Sequence, residues 1–585
     1  MRKELLMAFA FALPAGILLT GCTDDNYDLS DIDTTSRIKV DNLTIPVNID
    51  PIKLGDVIKL ESESKFQSVE INGQEFYALV HDGSFKSEDI SIAGVKATPT
   101  PISETRDPLY RIIGEASSKR RAAENVYKFG IKEIGNQFSY NAFNIDDAIV
   151  SLDAVTTEPF TFGISLEIID EASTISSLSF EDLVISVPKG LEATPSIGTY
   201  EPSAGLWKIP RADVIGNKIS ESLKVTGIDM ITAGVKILED RSLDFHSQFI
   251  IQSGFVDVVP NTPDFRDEVI LAVNYGLSEF EITSFTGQIH YELEGLNIDP
   301  VSLGSIPTFL QGDKTNLEIA NPQIYLEVNN PVAQVPLECS TGMTITALRT
   351  DSPSIPFSLP SPIILAEGVS PVAMQKFVLS PSDKDLVKHG YSWQSYPSLG
   401  SILTTPDSQE FNGVKGLPGS LSITFDNPSV PTQRVENFKL PQEFSRVTGN
   451  YEIIAPLALK DGSYIYYTEV RDGWYDDDLK DLTISALTIT AHAVNNVPAN
   501  IELTVYPLDI NGNTINGAEI KSNIVKSESE GDLTIQLTGE IKDLDGIRIE
   551  AKIESTGNEE PLSSSQTLDL TDIRAKVSGY YDRKF

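Results

Sequence analysis

Cysteine is nearly absent from this sequence of 585 residues, in which Cys22 and Cys339 are the only two. At most one disulfide can form, which excludes the class of small domains stabilised by several disulfides. Cys339 follows Val335 and Leu337 with the alternation of one face of a β-strand. We therefore expect its thiol to be buried and unreactive.

Histidine is also scarce. No two histidines lie within a helical turn of each other, and none has the spacing of a zinc-binding pair. The sequence therefore predicts no histidine-based metal centre, and we expect no cofactor. The five histidines are His81, His246, His290, His389 and His492.

Basic residues are few relative to acidic ones, 45 against 84, and the formal net charge is −39. Coulomb repulsion from such a charge disfavours nucleic acid and anionic membrane surfaces as partners. The charge is compatible with high solubility and with weak binding of divalent cations over the whole surface. We expect no nucleic-acid partner.

The local motifs of catalysis are missing as well. No serine lies in a Gly-x-Ser-x-Gly elbow, and no glycine-rich loop has the spacing that binds phosphates. A Ser/His/Asp triad remains an open alternative, because such a triad is defined by the geometry of its side chains in the fold and not by their spacing in the sequence. A glycosidase needs only two carboxylates at the right separation. Because the chain contains 84 acidic residues, their presence is no evidence for or against a glycosidase. We expect a protein that is not an enzyme, with a surface hydrolase as the weakest alternative.

Long hydrophobic runs are absent too. The apolar stretch from Leu5 to Leu19 follows Arg2 and Lys3, and it is shorter than the about 20 residues that span a membrane comfortably. A charged start, a short apolar core and small residues before a cleavage point form the layout of a secretory signal. Residues 1–21 are therefore predicted to be a signal peptide.

Cys22 ends the segment Leu19-Thr20-Gly21-Cys22, which resembles the lipobox of bacterial lipoproteins. The resemblance implies cleavage between Gly21 and Cys22 and attachment of lipid to Cys22, which would anchor the chain in a membrane. A plain signal peptide with an incidental cysteine is the alternative. With lipid on Cys22, no intrachain disulfide can form.

An acidic stretch, Thr23-Asp24-Asp25-Asn26-Tyr27-Asp28, follows at once. It resembles the surface-export signal of Bacteroidota lipoproteins, which implies a protein of the outer membrane that faces outward from the cell. The alternative is an ordinary charged tether on a protein that faces the periplasm.

Short segments with alternating apolar residues, such as 482–486, 487–491 and 501–505, recur through the rest of the chain. They predict an all-β fold of tandem antiparallel β-sandwich (Ig-like) domains, each burying the apolar faces of two sheets. A phase slip between Ala486 and Leu487 predicts a β-bulge. A hairpin turn is expected at Asn72-Gly73, and a turn into the next strand at 543–546.

The predicted organisation has eight segments. They are a lipoprotein signal peptide (1–21), an acidic tether (22–36), an N-terminal β region (37–97), a linker with a short helix (98–135), two β-sandwiches (136–261 and 262–350), a Pro/Ser/Gly-rich connection (351–418) and a C-terminal β-sandwich region (419–585).

Two similar strands run into Asn-Pro, at 317–322 and at 421–428, and a third such strand precedes Asn330-Pro331. Since proline cannot donate to a β-ladder, we expect each strand to end there. The pattern resembles β-sandwich regions of Bacteroidota lipoproteins and of plant desiccation-related proteins.

Two aromatic loops carry the residues that we predict to contact a ligand. Aromatic rings on loops stack on sugars or contact proteins. The alternative is that these rings cap the ends of sandwiches or seal the junctions between domains. The residues are Tyr391, Trp393 and Tyr396 in the first loop and Trp474 and Tyr475 in the second.

Asp509, Asn511 and Asn513 have the alternating oxygen ligands of a calcium loop. Thr514 stands where the EF-hand pattern requires glycine, and Ile520 where it requires a bidentate glutamate. A polar turn between strands is therefore favoured over a metal site.

Together these features predict a protein that is attached to the membrane only through its lipid anchor. Its expected role is non-catalytic, in adhesion, binding or scaffolding. A glycan or a protein is the expected partner. The alternative is a glycan-binding lipoprotein of a polysaccharide-utilisation system.

Overall fold

The computed structural model describes residues 35–47, 52–57, 65–112, 126–169, 174–262, 265–303, 315–348, 354–402, 418–473, 475 and 482–584. These residues consist mainly of β-strands, and all of their strand pairings but one are antiparallel. The predicted all-β sandwich class is confirmed. Within the same residues, no helix combines the length and the apolar character needed to cross a membrane.

The described part of the chain begins with three elements: β1 (Thr35–Val47), β2 (Ile52–Lys53) and α1 (Leu54–Val57). Three strands follow: β3 (Phe66–Ile71), β4 (Gln74–Lys86) and β5 (Ile90–Ile92).

The next elements are β6 (Val95–Pro99), β7 (Thr105–Tyr110), β8 (Tyr127–Ile131), β9 (Ile134–Asn141), β10 (Ile149–Ile169), β11 (Ile175–Ser186), β12 (Leu191–Pro195), β13 (Thr199–Glu201), β14 (Leu206–Ile215), β15 (Lys218–Asp229), α2 (Met230–Ala233), β16 (Lys236–Ile237), β17 (Leu243–Pro260), β18 (Glu268–Leu277) and β19 (Phe280–Glu292).

The third quarter contains β20 (Val301–Ser302), β21 (Gln323–Asn329), β22 (Cys339–Leu348), β23 (Ile355–Ser358), β24 (Ile363–Leu365), β25 (Met374–Ser380), β26 (Ser392–Ser395), a 3-10 helix (Pro397–Ser401), β27 (Ser420–Lys439), β28 (Gln442–Phe444) and β29 (Thr448–Pro456). The last strands are β30 (Tyr464–Arg471), β31 (Leu482–Asn495), β32 (Ala499–Leu508), β33 (Glu519–Ser522), β34 (Ile524–Val525), β35 (Ser529–Ile541), β36 (Gly546–Ser555) and β37 (Thr567–Lys584).

Both ends of the described chain build one sandwich, which we call the terminal module (35–57 and 464–584). One of its sheets has the order β1-β37-β31-β35-β33, with β2 also on β37, and the other has the order β30-β36-β32-β34. Leu537 and Ile553, one from each sheet, are both buried. The first strand of the described chain therefore lies beside the last one.

The middle module (65–94 and 293–463) contains a six-stranded sheet with the order β26-β25-β21-β29-β4-β3, here called the front sheet. Its inner side packs on β22 and β27, as the contact between the Phe85 and Phe425 rings shows, with centroids 4.6 Å apart. Leu79, Ile324 and Ile345 from the two layers line one small apolar cavity. These side chains form the core of the module.

The inserted module (95–292) is a second large sandwich. Strands β10, β15, β18 and β19 form one layer, and β8, β9, β11, β14 and β17 form the other. Their interface is aromatic: Tyr140 of β9 contacts Phe162 and Phe280 from the opposite layer, with centroid distances of 6.1 and 5.0 Å. Such tilted ring contacts add to the energy of apolar burial.

Strand β27 belongs to two modules. Its first half pairs with β22 in the middle module and its second half with β19 in the inserted module. The expected strand end at Asn427-Pro428 is therefore wrong: the strand continues, Asn427 takes a positive φ of 48°, and the pairing partner changes there. The strand that precedes Asn330-Pro331 does end as expected, at Asn329.

The modules are nested in the sequence. The described part of the chain starts in the terminal module, passes through the middle module into the inserted one, and returns through both. Strand pairing thus crosses the predicted boundaries: β4, from the predicted region 37–97, pairs with β29, from the predicted block 419–585. Strands β7 and β8 occupy part of the predicted linker 98–135, because their backbone groups pair with β18 and β17.

The local turns follow the sequence more closely. Asn72 and Gly73 join β3 to β4 with positive φ values of 52° and 84°, which confirms the predicted hairpin. The turn at 543–546 also lies between two strands, β35 and β36. The predicted bulge occurs at Ser485, between Ile484 and Ala486, slightly before the predicted position.

Candidate functional site

The aromatic run at 391–396 divides between the core and the surface. Tyr396 is fully buried, and its hydroxyl donates a hydrogen bond to the carbonyl oxygen of Phe357. Burial raises the pKa of this phenol well above its ordinary value. Tyr396 therefore stabilises the middle module from inside and lies away from any surface ligand, contrary to its predicted contact role.

Trp393 lies at the surface, on β26 at the edge of the front sheet. Its side chain is 42 % exposed, and its indole Nε1 donates to Ser380 Oγ over 3.0 Å. The strand pairs in parallel with β25, which sets Trp393 beside Val378. The ring is thus oriented by a hydrogen bond while part of its apolar area faces solvent.

Tyr391 is half-buried and lies between these two environments. Its ring meets the edge of the Tyr325 ring at a centroid distance of 4.9 Å, and its hydroxyl donates to Glu327 over 2.7 Å. Burial, together with the hydrogen bond to the Glu327 carboxylate, raises the pKa of Tyr391. Lys376 lies 2.8 Å from the same carboxylate, and its hydrogen bond, followed by that of Tyr391, lowers the pKa of Glu327.

These side chains share the outward side of the front sheet, which we call the front face. The strand register places Trp393, Val378, Tyr325, Glu452 and Asp82 in one row across it. Since alternate residues of a strand face the same side, the positions two residues away form the next row. The front face therefore carries aromatic, acidic and basic groups on five neighbouring strands.

A loop at 381–391 covers one half of the front face. The amide of Val387 donates to Gln323 Oε1 over 3.0 Å, and the amide of Lys388 donates to Tyr325 Oη over 2.9 Å. In return, Gln323 Nε2 donates to the carbonyl oxygen of Asp385 over 2.9 Å. Lys388 also forms an ion pair with Glu452. Beneath the loop lies a small apolar cluster of Ala78, Tyr325, Val378 and Ile454.

The other half of the front face is open and forms a cleft of about 950 Å³. This volume lies within the usual range for small-molecule sites. Ser84 and Asn450, which are direct partners in the β4–β29 register, form part of the floor. Polar residues that line the cleft include Ser84, Lys86, Asn297, Arg446, Thr448 and Asn450.

Two pairs of glycine and aromatic residues shape the sheet beside this cleft. Gly449 lies opposite Phe85, and Gly83 lies opposite Tyr451. A Cβ atom on Gly449 would come within 2.3 Å of the Phe85 ring, and one on Gly83 within 2.6 Å of the Tyr451 ring. Each glycine therefore provides the space over which a ring on the neighbouring strand lies.

The loop at 509–513 is a turn held by its own side chain. Asp509 Oδ1 accepts hydrogen bonds from the amides of Asn511 and Asn513 over 2.9 and 2.8 Å, and these bonds lower the pKa of Asp509. Among the residues that the structure describes, no group of three or more His, Cys, Asp or Glu is placed to hold a metal ion. The polar turn that the sequence favoured accounts for this geometry.

Of the remaining predicted site residues, the structure describes Tyr475. Tyr475 is partly buried, and its amide donates to Asp545 Oδ1 over 2.8 Å. Trp474, Gly21 and Cys22 lie outside the described residues. The second aromatic loop and the lipidation site therefore stay predictions.

Cys339 is buried, as predicted. Its thiol donates to Asn330 Oδ1 over 3.4 Å, and burial raises its pKa to about 12. The thiol is therefore protonated at neutral pH and unreactive. The strand begins at Cys339 itself, so Val335 and Leu337 precede it and do not share a strand face with it.

The sequence did not reveal the open cleft, because its walls come from four distant parts of the chain, namely residues 84–89, 295–297 and 446–450 together with Met374. A weak signal was available. Gly83 and Gly449 each lie inside a strand, and a glycine at such a position often marks a place where another group approaches closely.

Comparison with known proteins finds no matching family model and no matching curated protein. Among solved structures, the chain is similar to a protein from Parabacteroides distasonis that is described as secreted, with 15 % identity and a TM-score of 0.36. The match covers 50 % of this chain and 89 % of that one. At this TM-score the similarity supports no conclusion about fold or function.

Proposed function

We propose that this chain is a lipid-anchored protein of the outer membrane, exposed at the cell surface, with a non-catalytic role in adhesion or scaffolding. The front face of the middle module is its binding surface. The observation that carries the binding role is the juxtaposition, on one sheet, of an open cleft with the exposed ring of Trp393. Residues held on a sheet lose little freedom when a partner binds, which favours affinity.

The position of β1 supports a display mechanism. The tether from Cys22 to Thr35 spans at most about 45 Å when fully extended, and β1 pairs with β37 along the terminal module. A lipid on Cys22 would therefore keep the terminal module near the membrane. Strand β27 joins the middle module to the inserted one, so the inserted module comes last in this series from the anchor.

Attachment of cells tests the adhesive role. A strain that lacks the gene should attach poorly to its natural surface, and the wild-type gene should restore attachment. A gene carrying Trp393→Ala and Tyr391→Ala should restore it poorly. Tyr110→Ala is the matched control, because Tyr110 is a surface tyrosine, 56 % exposed, on a strand of the inserted module. Normal attachment of the deletion strain would refute adhesion.

Glycan capture is the second candidate function. It is favoured by Trp393, whose partly exposed ring offers a flat apolar face while its indole N–H is already bonded to Ser380. Sugar rings pack their C–H faces on such rings, and polar neighbours bind their hydroxyls. Growth on polysaccharides separates the two candidates, since loss of an adhesin should leave growth on every glycan normal.

A further inference from the structure

The open cleft on the front face has a fixed frame. Arg446 binds Asp89 through two hydrogen bonds, from Nε and Nη2, of 3.1 and 3.0 Å. Asn329 Oδ1 accepts from the amide of Thr448 over 2.6 Å, and Asn329 Nδ2 donates to the carbonyl of Pro371 over 2.9 Å. The first pair joins the two loops that carry Arg446 and Asp89, and Asn329 joins β29 and the loop at Pro371 to β21.

Five other polar side chains of the lining are, in contrast, uncommitted. All five are exposed, and none makes a side-chain hydrogen bond or an ion pair with any residue that the structure describes: Ser84, Lys86, Glu88, Asn297 and Asn450. They supply a hydroxyl, two amides, a carboxylate and an ammonium, and so offer both donors and acceptors. A ligand rich in hydroxyl groups can use both.

The charges around the cleft balance. Lys86 and Arg446 are offset by Glu88 and Asp89, although the whole chain has a net charge of −39. An anionic ligand would find no surplus of positive charge here. Of the two lining carboxylates, Asp89 is already paired with Arg446, which leaves the single carboxylate of Glu88 to attract a cation. The cleft chemistry therefore favours a neutral ligand.

Outward residues of β25 connect the cleft with the position of Trp393. Met374 lines the cleft, and Lys376 follows it on the same side of the strand; both are exposed. Val378, the next outward residue, is the neighbour of Trp393 in the parallel pairing and is buried beneath the loop at 381–391. At about 3.3 Å per residue, the distance from Met374 to Val378 is about 13 Å, which is the length of a short oligosaccharide.

We infer that the cleft binds a neutral oligosaccharide, whose hydroxyls bond to Ser84, Asn450 and Asn297 and whose far end extends along β25 toward Trp393. This inference rests on the binding role proposed for the front face and deepens it by naming the site and the class of ligand. Gly295 helps to form the wall, because its positive φ of 78° lets the chain pass close to the Glu88 backbone.

The test is affinity electrophoresis and a glycan array with the purified protein in which Cys22 is replaced by serine. Asn450→Trp places a bulky side chain on the floor of the cleft and should weaken retention by about tenfold or more. The double variant Ser84→Ala, Asn450→Ala removes the polar groups without filling the space and should also weaken retention. Trp393→Ala should weaken retention of longer chains more than of short ones. Thr194→Trp, at an exposed strand position of the inserted module, is the matched control.

Each outcome decides something. Retention that is lost in both cleft variants and kept in Thr194→Trp supports the inference. Retention that is lost only in Trp393→Ala overturns the cleft as the site but leaves glycan binding. Binding that falls steeply between low and high salt overturns a neutral ligand, since salt screens charges. No retention on any neutral glycan overturns the inference as a whole, while the attachment assay judges the adhesive role independently.

Discussion

Arg37 and Asp582 lie 545 positions apart in the chain, and two hydrogen bonds of 2.8 and 2.9 Å join their side chains. The Arg37 guanidinium also lies 3.9 Å from the centroid of the Tyr580 ring. The pair belongs to the antiparallel register between β1 and β37. The terminal module is therefore completed only when both ends of the described chain are present.

Deletion of residues 35–47 should destabilise the terminal module and promote self-association. It leaves β37, a strand of 18 residues, as an unprotected edge whose backbone groups are free to pair with another chain. Thermal unfolding and light scattering measure the two effects. Arg37→Ala is the control and should change the melting temperature little, because exposed ion pairs contribute little stability. A monomeric deletion variant with unchanged melting would contradict this account.

Replacement of Cys22 by serine should move the protein from the membrane fraction to the soluble fraction, because no thiol remains to carry lipid. Cell fractionation followed by immunoblotting measures the distribution. Cys339→Ser is the matched control: this cysteine is buried, and serine preserves a donor toward Asn330. If the Cys22→Ser protein stays with the membranes, the anchor is not at this residue.

Gly449→Ala should lower the free energy of unfolding by roughly 1–3 kcal/mol, the usual cost of overpacking a core. The added methyl group would lie 2.3 Å from the Phe85 ring, which itself packs on Phe425 and cannot withdraw freely. Urea denaturation gives the free energy. Gly531→Ala, also in a strand, is the control, because a Cβ there meets no atom within 4 Å. Equal stability of the two variants would argue against the reciprocal packing of glycines and rings.

Glu327 should make the stability of the protein depend on pH in the acid range. Its pKa is held below the ordinary value of 4.5, chiefly by the hydrogen bond from Lys376. A carboxylate with a lowered pKa in the folded state stabilises the fold above its unfolded pKa, and this contribution disappears as the pH falls through the folded pKa.

The melting temperature of the wild type should therefore fall more steeply than that of Glu327→Gln below about pH 4.5. Scanning calorimetry across this range measures the difference. Glu133→Gln, which alters an exposed carboxylate, should keep the wild-type slope. Parallel curves for the wild type and Glu327→Gln would show that the Glu327 cluster contributes no pH-dependent stability.

The aromatic run at 391–396 shows how far a site can be predicted from the sequence. Its composition marks it as a place for contacts, yet it does not distinguish Trp393, which is partly exposed, from Tyr396, which is buried. The distinction depends on where β26 ends and on how the following turn enters the core. The cleft could not be predicted from the sequence, because Ser84 and Asn450 become neighbours only through strand pairing.

The sequence by itself determined the β-sandwich character of this protein, because alternation of apolar residues and turns such as Asn72-Gly73 act over a few neighbouring residues. Only the tertiary structure decided the nested order of the modules, the passage of β27 from one to another, and the cleft on the front face. The physical reason is that β-pairing joins segments hundreds of residues apart, and each apolar face can accept many partners. Packing of the whole chain selects among them.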